Sequence, residues 1–177
     1  PAMMLALGGE RQNQTDRIYQ QAGFVLEPIK NWITNVEFNY SIYNHDVRQT
    51  TLPYYNHDVQ GNIVNTQGTS SLHQSYMKEN YMNINIYSDY SWTMDDAHNF
   101  KTMLGFQADE QKQSYFSATG YGLQAEDLPE LDLISGVDGK GADREALISG
   151  YRNQWSTAGF FGRINYDYEG RYLAEAN

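Results

Sequence analysis

The sequence has no cysteine and only four prolines among its 177 residues. Without cysteine, these residues cannot form a disulfide, a thiol nucleophile or a zinc–thiolate site. Mean hydropathy is low, at −0.68, and no run approaches the roughly 20 apolar residues that a membrane-spanning helix needs. A helical membrane protein is therefore excluded. Membrane-spanning strands are not, because their apolar residues alternate with polar ones.

Basic residues are also scarce, with 12 Lys and Arg against 22 Asp and Glu and a net charge of −10. This balance argues against nucleic-acid binding, which needs clustered positive charge. Aromatic residues, in contrast, make up 14% of the chain and include 15 tyrosines. Such residues favour strands and membrane interfaces.

Six segments alternate between apolar and polar residues with a period of two, which is the pattern of β-strands. In the second segment, for example, Val36, Phe38 and Tyr40 alternate with Glu37 and Asn39. The segments span residues 18–26, 35–42, 82–92, 100–109 and 158–168, and a sixth begins at Arg171.

The connections between these segments are alternately short and long. Short turns are predicted at residues 27–31, 93–98 and 168–171, and long polar stretches at about 45–74 and 115–150. Outer-membrane barrels have this rhythm, with short periplasmic turns and long extracellular loops. Good helix formers within residues 142–149 also predict one short helix in the second long stretch.

Aromatic residues flank all three short turns and would form a girdle at the membrane interface. Strand propensity is the alternative explanation for their positions. The residues are Trp32, Tyr90, Trp92, Tyr166, Tyr168 and Tyr172.

The predicted fold class is all-β: an antiparallel transmembrane β-barrel segment of about six strands with long extracellular loops. Six strands are fewer than the roughly eight of the smallest membrane barrels, and an open sheet edge cannot persist in lipid. We therefore expect residues 1–177 to be a partial β-barrel domain, with the remaining strands in a longer parent chain.

Several blocks of sequence resemble a known family. Residues 158–173, AGFFGRINYDYEGRYL, resemble the GFFGR-(L/I)-NYDY-x-GRYL block of SusC/RagA-type TonB-dependent outer-membrane transporters of Bacteroidetes. HNFK at residues 98–101, with GFQ at 105–107, and GFVLEPIKNW at 23–32 resemble two further blocks in the same order. Residues 121–123, 128–129 and 151–155 fit the loop that precedes GFFGR.

The resemblance implies a 22-stranded β-barrel with a plug domain in its lumen, a plug that these residues do not include. It also implies location in the Gram-negative outer membrane, energy from a TonB complex acting through the missing N-terminal part, and a SusD-like surface lipoprotein as a lid. The implied substrates are glycans (oligosaccharides) or oligopeptides. Two alternatives remain: a non-transporting outer-membrane β-barrel such as an adhesin or porin-like protein, and a soluble all-β binding module.

Aromatic residues in or beside the long stretches are the candidates for substrate contact, although packing between loops would also explain them. These residues are Tyr54, Tyr55, Tyr115, Phe116, Tyr121 and Trp155. No motif for a catalytic nucleophile, a metalloprotease or a phosphate-binding loop is present, and we expect neither an enzyme nor a cofactor.

Two places in the sequence carry residue types that are common in metal sites. The pentapeptide YNHDV occurs at residues 43–47 and 55–59, so His45-Asp46 and His57-Asp58 could supply ligands if they converged. The segment that begins at Asp138 has some likeness to a calcium loop but lacks the required ligand spacing. Adjacent His and Asp side chains point to opposite faces of a strand, so each pair offers only one ligand on each face. We therefore expect no metal at either place.

Overall fold

The computed structural model describes residues 8–177, without the side chains of residues 65–67. Within residues 8–177, eight strands follow one another, with one 3₁₀ turn, Leu131–Leu133, between the sixth and seventh. The strands are β1 (Arg11–Ile29), β2 (Trp32–Thr51), β3 (Tyr54–His57), β4 (Ile63–Gln67), β5 (Ser71–Met94), β6 (His98–Tyr121), β7 (Leu147–Tyr168) and β8 (Tyr172–Ala176).

Six of these strands form one antiparallel sheet in the order β1-β2-β5-β6-β7-β8, and β3 and β4 form a separate hairpin. Neighbours in the large sheet are therefore neighbours along the chain, apart from the inserted hairpin. The prediction of an all-β segment with six antiparallel strands is confirmed.

The two faces of the sheet differ in polarity because successive side chains of a strand point to opposite sides. Many side-chain hydrogen bonds between strands join odd-numbered residues, such as Tyr19 with Asn39 and Asn39 with Asn83. The odd-numbered face is therefore polar, and we call it the polar face. Even-numbered positions carry most of the apolar side chains, including Phe24, Leu104 and Phe160, and form the apolar face.

The three predicted short turns are present, and all use backbone with positive φ. Asn31, Asp95, Asp96 and Glu169 have φ between 47° and 69°. Asn and Asp tolerate this conformation better than other residues with a side chain. At the last turn, Glu169 and Gly170 are followed by a hydrogen bond from the Arg171 N–H to the Tyr168 carbonyl, 2.8 Å, as in the primed turns of β-hairpins.

The strands reach further into the predicted long stretches than the sequence pattern indicated. β2 runs on to Thr51, β5 begins at Ser71, and β6 runs on to Tyr121. The predicted short helix within residues 142–149 is wrong, because residues 147–149 already belong to β7 and Asp143 forms a bridge with Val137. Pairing with neighbouring backbone overrides the local helix propensity.

Contacts divide the chain into two compact units that cut across the strands. The loop unit holds the described residues up to Asp16 together with Tyr43–Lys78 and Gln113–Arg152; it includes the β3–β4 hairpin and the second long loop. The turn unit holds Arg17–Ile42, Glu79–Lys112 and Asn153–Asn177, with the three short turns. No helix among the described residues is long and apolar enough to cross a membrane.

Candidate functional site

The apolar face of the turn unit is open. Phe160 of β7 is 88% exposed, Leu104 of β6 is 68% exposed and Phe24 of β1 is 66% exposed. Exposed side chains of this size on one face of a sheet form an apolar surface that water solvates poorly. Such a surface suits contact with lipid or with a partner.

An aromatic ladder crosses the apolar face beside the short turns. Trp92 of β5 stacks on Phe100 of β6, with ring centroids 5.0 Å apart, and Phe100 is 5.0 Å from Tyr166 of β7. The ladder continues through neighbouring contacts to Tyr90, His98, Tyr168 and Tyr172. The predicted grouping of aromatic side chains next to the turns is present in the structure.

Trp32 lies on the same face, and its indole nitrogen forms a hydrogen bond. Its indole N–H donates to the Ser88 hydroxyl oxygen at 2.6 Å, and the Thr34 hydroxyl lies 2.9 Å from the same oxygen. The ring is left 42% exposed. An amphipathic ring with a partnered N–H and an exposed body suits a membrane interface.

The polar face of the turn unit carries a continuous hydrogen-bond network. Tyr19 donates to Asn39 at 3.0 Å, and Asn39 donates to Asn83 at 3.0 Å. Asn83 and Tyr81 then donate to one carboxylate oxygen of Asp109, at 2.8 and 2.6 Å. This network, which we call the polar ladder, links four adjacent strands from β1 to β6.

Sequence reasoning did not select the polar ladder as a site. Its members are ordinary polar residues, and only the register between strands shows that they meet. The recurrence of asparagine at every second position, as at Asn83 and Asn85, is the one signal that could have identified it. The ladder presents amide, hydroxyl and carboxylate groups, which suit water or a polar ligand.

Two loop tips in the loop unit share one turn structure. The Asp58 carboxylate accepts hydrogen bonds from the N–H groups of Gln60 and Asn62, and the Asp138 carboxylate accepts from those of Lys140 and Ala142. The hydrogen bonds of the Asn62 side chain and backbone lower the pKa of Asp58 below its ordinary value. Those of Ala142 and Lys140 likewise lower the pKa of Asp138.

The second of these turns is the segment that begins at Asp138 and has some likeness to a calcium loop. Asp138 is occupied by backbone N–H groups and has Arg144 3.6 Å away. His45 lies in β2 with its Nδ1 atom 2.9 Å from the Thr15 hydroxyl, whereas His57 ends β3. Within the described residues, no three potential ligands cluster in a way that could hold a metal ion.

The second long loop is fixed to the strands of the loop unit. The Arg48 guanidinium donates to the Pro129 carbonyl and lies 3.0 Å from the Glu130 carboxylate. Further along, a Cβ on Gly120 would overlap the side chain of Ile134. The loop is therefore packed against β2 and β6 rather than extended into solvent.

The six predicted substrate-contact residues are not gathered on one surface. Tyr115 and Phe116 are consecutive in β6 and so point to opposite faces. The ring of Tyr115 stacks on Tyr151 of β7, with centroids 5.3 Å apart, and Phe116 is 50% exposed. Their role in substrate contact stays a prediction.

The other four candidates have separate surroundings. Tyr54 and Tyr55 are in β3 of the hairpin, and the Arg144 guanidinium lies 5.8 Å from the ring centroid of Tyr121. Trp155 belongs to the turn unit, where its indole N–H donates to Gln111 at 3.1 Å. Tyr55 and Trp155 keep 37% and 46% of their surface exposed, enough for a ligand to reach them.

Comparison with solved structures shows what the fold resembles. It is similar to chains of the RagAB peptide importer in its closed-closed and open-open states, each with a TM-score of 0.76 and 15% identity over 93% of this chain. It is also similar to a chain of the RagAB peptide transporter, with a TM-score of 0.80 and 14% identity over 97% of this chain.

The chain spans only 17–18% of the length of those chains. No protein-family model matches the sequence, and no curated protein matches it significantly. At this level of identity the likeness shows the fold alone. The fold is therefore similar to that of part of those chains.

Proposed function

We propose that this chain forms part of the wall of an outer-membrane importer. Its apolar face contacts lipid, its polar face lines the lumen, the short turns lie on the periplasmic side and the long loops lie outside. The remaining strands needed to close the barrel, and a plug domain, belong to a longer chain. The short span of the match to the RagAB chains supports this proposal. The outer edges of β1 and β8, which pair with no other strand among the described residues, also support it.

One observation carries the proposal: an exposed apolar face lies opposite a hydrogen-bonded polar face in the same sheet. In a soluble β-sandwich the apolar face of each sheet is buried, because a second sheet covers it. In this chain the apolar face is exposed. Leu104 and Phe160 are 68% and 88% exposed. Exposing such side chains to water costs free energy, whereas exposing them to lipid does not. The aromatic ladder at the turn end fits the interfacial girdle of a membrane barrel.

For the cargo we propose oligopeptides or oligosaccharides. Amide, hydroxyl and carboxylate groups of the polar ladder would hydrogen-bond to either, and exposed rings beside the loops would stack on sugars or on apolar side chains. We further propose a SusD-like surface lipoprotein as the lid over the loops and a TonB complex as the energy source, acting through parts of the protein beyond these strands. No catalytic step is assigned to this chain.

Uptake by cells that produce the full-length protein tests the transport role. One variant replaces Tyr54, Tyr55, Tyr115, Tyr121 and Trp155 with Ala and keeps Phe116, which lies on the apolar face. A matched control replaces only the four tyrosines with Phe, which keeps the rings. With equal amounts in the outer membrane, we expect the alanine variant to import labelled oligopeptides or oligosaccharides at least about tenfold more slowly, as the loss of one or two stacking contacts implies. The control should retain most of the uptake.

Uptake that is unchanged in the alanine variant contradicts the role of these rings. Failure of the unmodified protein to import either class of substrate contradicts the proposed function itself.

A further inference from the structure

A groove in the loop unit is lined by aromatic and basic side chains from three neighbouring strands. Its volume is about 450 Å³. We call it the basic–aromatic groove; it is lined by Tyr76, Ser114, Tyr115, Phe116, Gly150, Tyr151 and Arg152.

The absence of a side chain at Gly150 helps to form the groove. A Cβ at this position would lie 3.2 Å from the Tyr115 carbonyl oxygen and 3.9 Å from the Phe116 Cα. Tyr76 and Phe116 keep 41% and 50% of their surfaces exposed. The Tyr76 hydroxyl donates to Asn44 at 3.1 Å, which fixes the ring.

Strand alternation places the main lining residues on one side of the strands of the loop unit. Tyr76 of β5, Phe116 of β6 and Arg152 of β7 line the groove together, and all three have even numbers, as do the positions that form the apolar face. Along each of these strands, the groove residue comes between the apolar stretch and the long loop. In a membrane barrel this is the level of the outer headgroups.

Positive charge in and beside the groove has no partner among the residues that the structure describes. Among the described residues, neither Arg152 nor Lys78 forms an ion pair or a side-chain hydrogen bond. Lys78 follows Tyr76 by two residues in β5 and so lies on the same face. Unpaired cations are notable in a chain where acidic residues outnumber basic ones by 22 to 12.

We propose that the basic–aromatic groove binds the phosphorylated headgroup of a glycolipid of the outer leaflet. Arg152 pairs with the phosphate, since a guanidinium matches phosphate geometry, and Lys78 adds a second charge. Tyr76 and Phe116 flank the sugar, as aromatic rings do at membrane interfaces. The inference rests on the proposed placement of the apolar face in lipid.

Binding of lipid A to the full-length, detergent-purified protein tests this inference. We expect the variant with Arg152→Gln and Lys78→Gln to bind lipid A at least about tenfold more weakly in native mass spectrometry titrations, because two charge-assisted contacts are lost. Lys140→Gln, which removes an exposed cation from a loop tip, should bind within about twofold of the unmodified protein.

Two further probes separate the sources of binding. Lipid A without phosphates should bind the unmodified protein as weakly as phosphorylated lipid A binds the double variant, and millimolar inorganic phosphate should not displace lipid A. Equal binding of the dephosphorylated lipid, or full displacement by inorganic phosphate, overturns the assignment to a glycolipid headgroup. Unchanged binding in the double variant, or an equal loss in Lys140→Gln, overturns the role of the groove.

Failure of this inference can be distinguished from failure of the proposed function. In the same preparation, a fluorophore at a Leu104→Cys site should be quenched by brominated lipids. Quenching without lipid A binding rejects the groove and keeps the membrane placement, whereas absence of quenching rejects the placement.

Discussion

The ring of Phe161 in β7 lies directly over Gly105 in β6, where a Cβ on the glycine would overlap it. Both residues have odd numbers and lie on the polar face of the turn unit. An aromatic ring that covers a cross-strand glycine protects the backbone there and helps to fix the register of the two strands.

Gly105→Ala should therefore destabilise the barrel, because the new methyl group forces the Phe161 ring out of its position. We expect a loss of about 1–3 kcal/mol in the free energy of unfolding, the usual cost of overpacking, measured by urea titration of the full-length protein in detergent. Gly159→Ala is the matched control, since a Cβ there meets nothing within 4 Å. Equal destabilisation by both changes contradicts the packing role of Gly105.

Arg48 is predicted to hold the second long loop against β2. Replacing it with Gln removes the ion pair with Glu130 and weakens the hydrogen bond to the Pro129 carbonyl. We expect the free energy of local opening of the loop to fall by about 1 kcal/mol, which corresponds to roughly a fivefold rise in the rate of amide exchange near Pro129. Hydrogen–deuterium exchange with mass spectrometry measures this change.

Lys140→Gln serves again as the control, because it removes one positive charge from the second long loop itself and leaves the contacts of Arg48 in place. An unchanged exchange rate near Pro129 in Arg48→Gln would show that other contacts, such as that of Ile134 with Gly120, hold the loop without Arg48.

The turns at Asp58 and Asp138 should respond to acid. In both, hydrogen bonds to the carboxylate lower the pKa below the ordinary value of 3.8. A lowered pKa in the folded state stabilises the turn above the ordinary pKa, and this stabilisation is lost as the pH falls through the lowered value. Protection of the Gln60 and Ala142 amides should therefore be constant down to about pH 4 and should decrease in stronger acid.

Asp58→Asn provides the matched comparison for the first turn. Its side-chain oxygen still accepts the two hydrogen bonds but does not titrate, so protection at Gln60 should no longer depend on pH in this range. Amide exchange at several pH values, corrected for the intrinsic rate, distinguishes the two cases. A pH dependence that persists in Asp58→Asn contradicts the assignment to this carboxylate.

Much of the fold could be predicted because period-two alternation is a local property of the chain. Residues 36–42 show their apolar face directly in the sequence, and the turn at Glu169 and Gly170 is marked by the glycine. Local sequence did not predict the secondary structure correctly where pairing between strands determines it. Residues 147–149 favour a helix in isolation but become part of β7.

The polar ladder and the repeated pentapeptide show the same limit. Asn39, Asn83 and Asp109 meet only because of the register between β2, β5 and β6, which no single segment encodes. YNHDV lies wholly inside β2 at residues 43–47, whereas at 55–59 it ends β3 and begins a turn. Identical local sequence thus adopts two structures, and tertiary context makes the difference.

The measurement that tests the central claim most directly compares two positions of β6 that are three residues apart. Leu104→Cys and Gln107→Cys, each in a cysteine-free version of the full-length protein, carry the same small fluorophore in vesicles with lipids brominated on their acyl chains. Leu104 is on the apolar face and Gln107 is on the polar face. We predict strong quenching at position 104 and little at position 107; equal quenching at both positions, or the reverse order, would contradict the account of this sheet as a membrane-barrel wall.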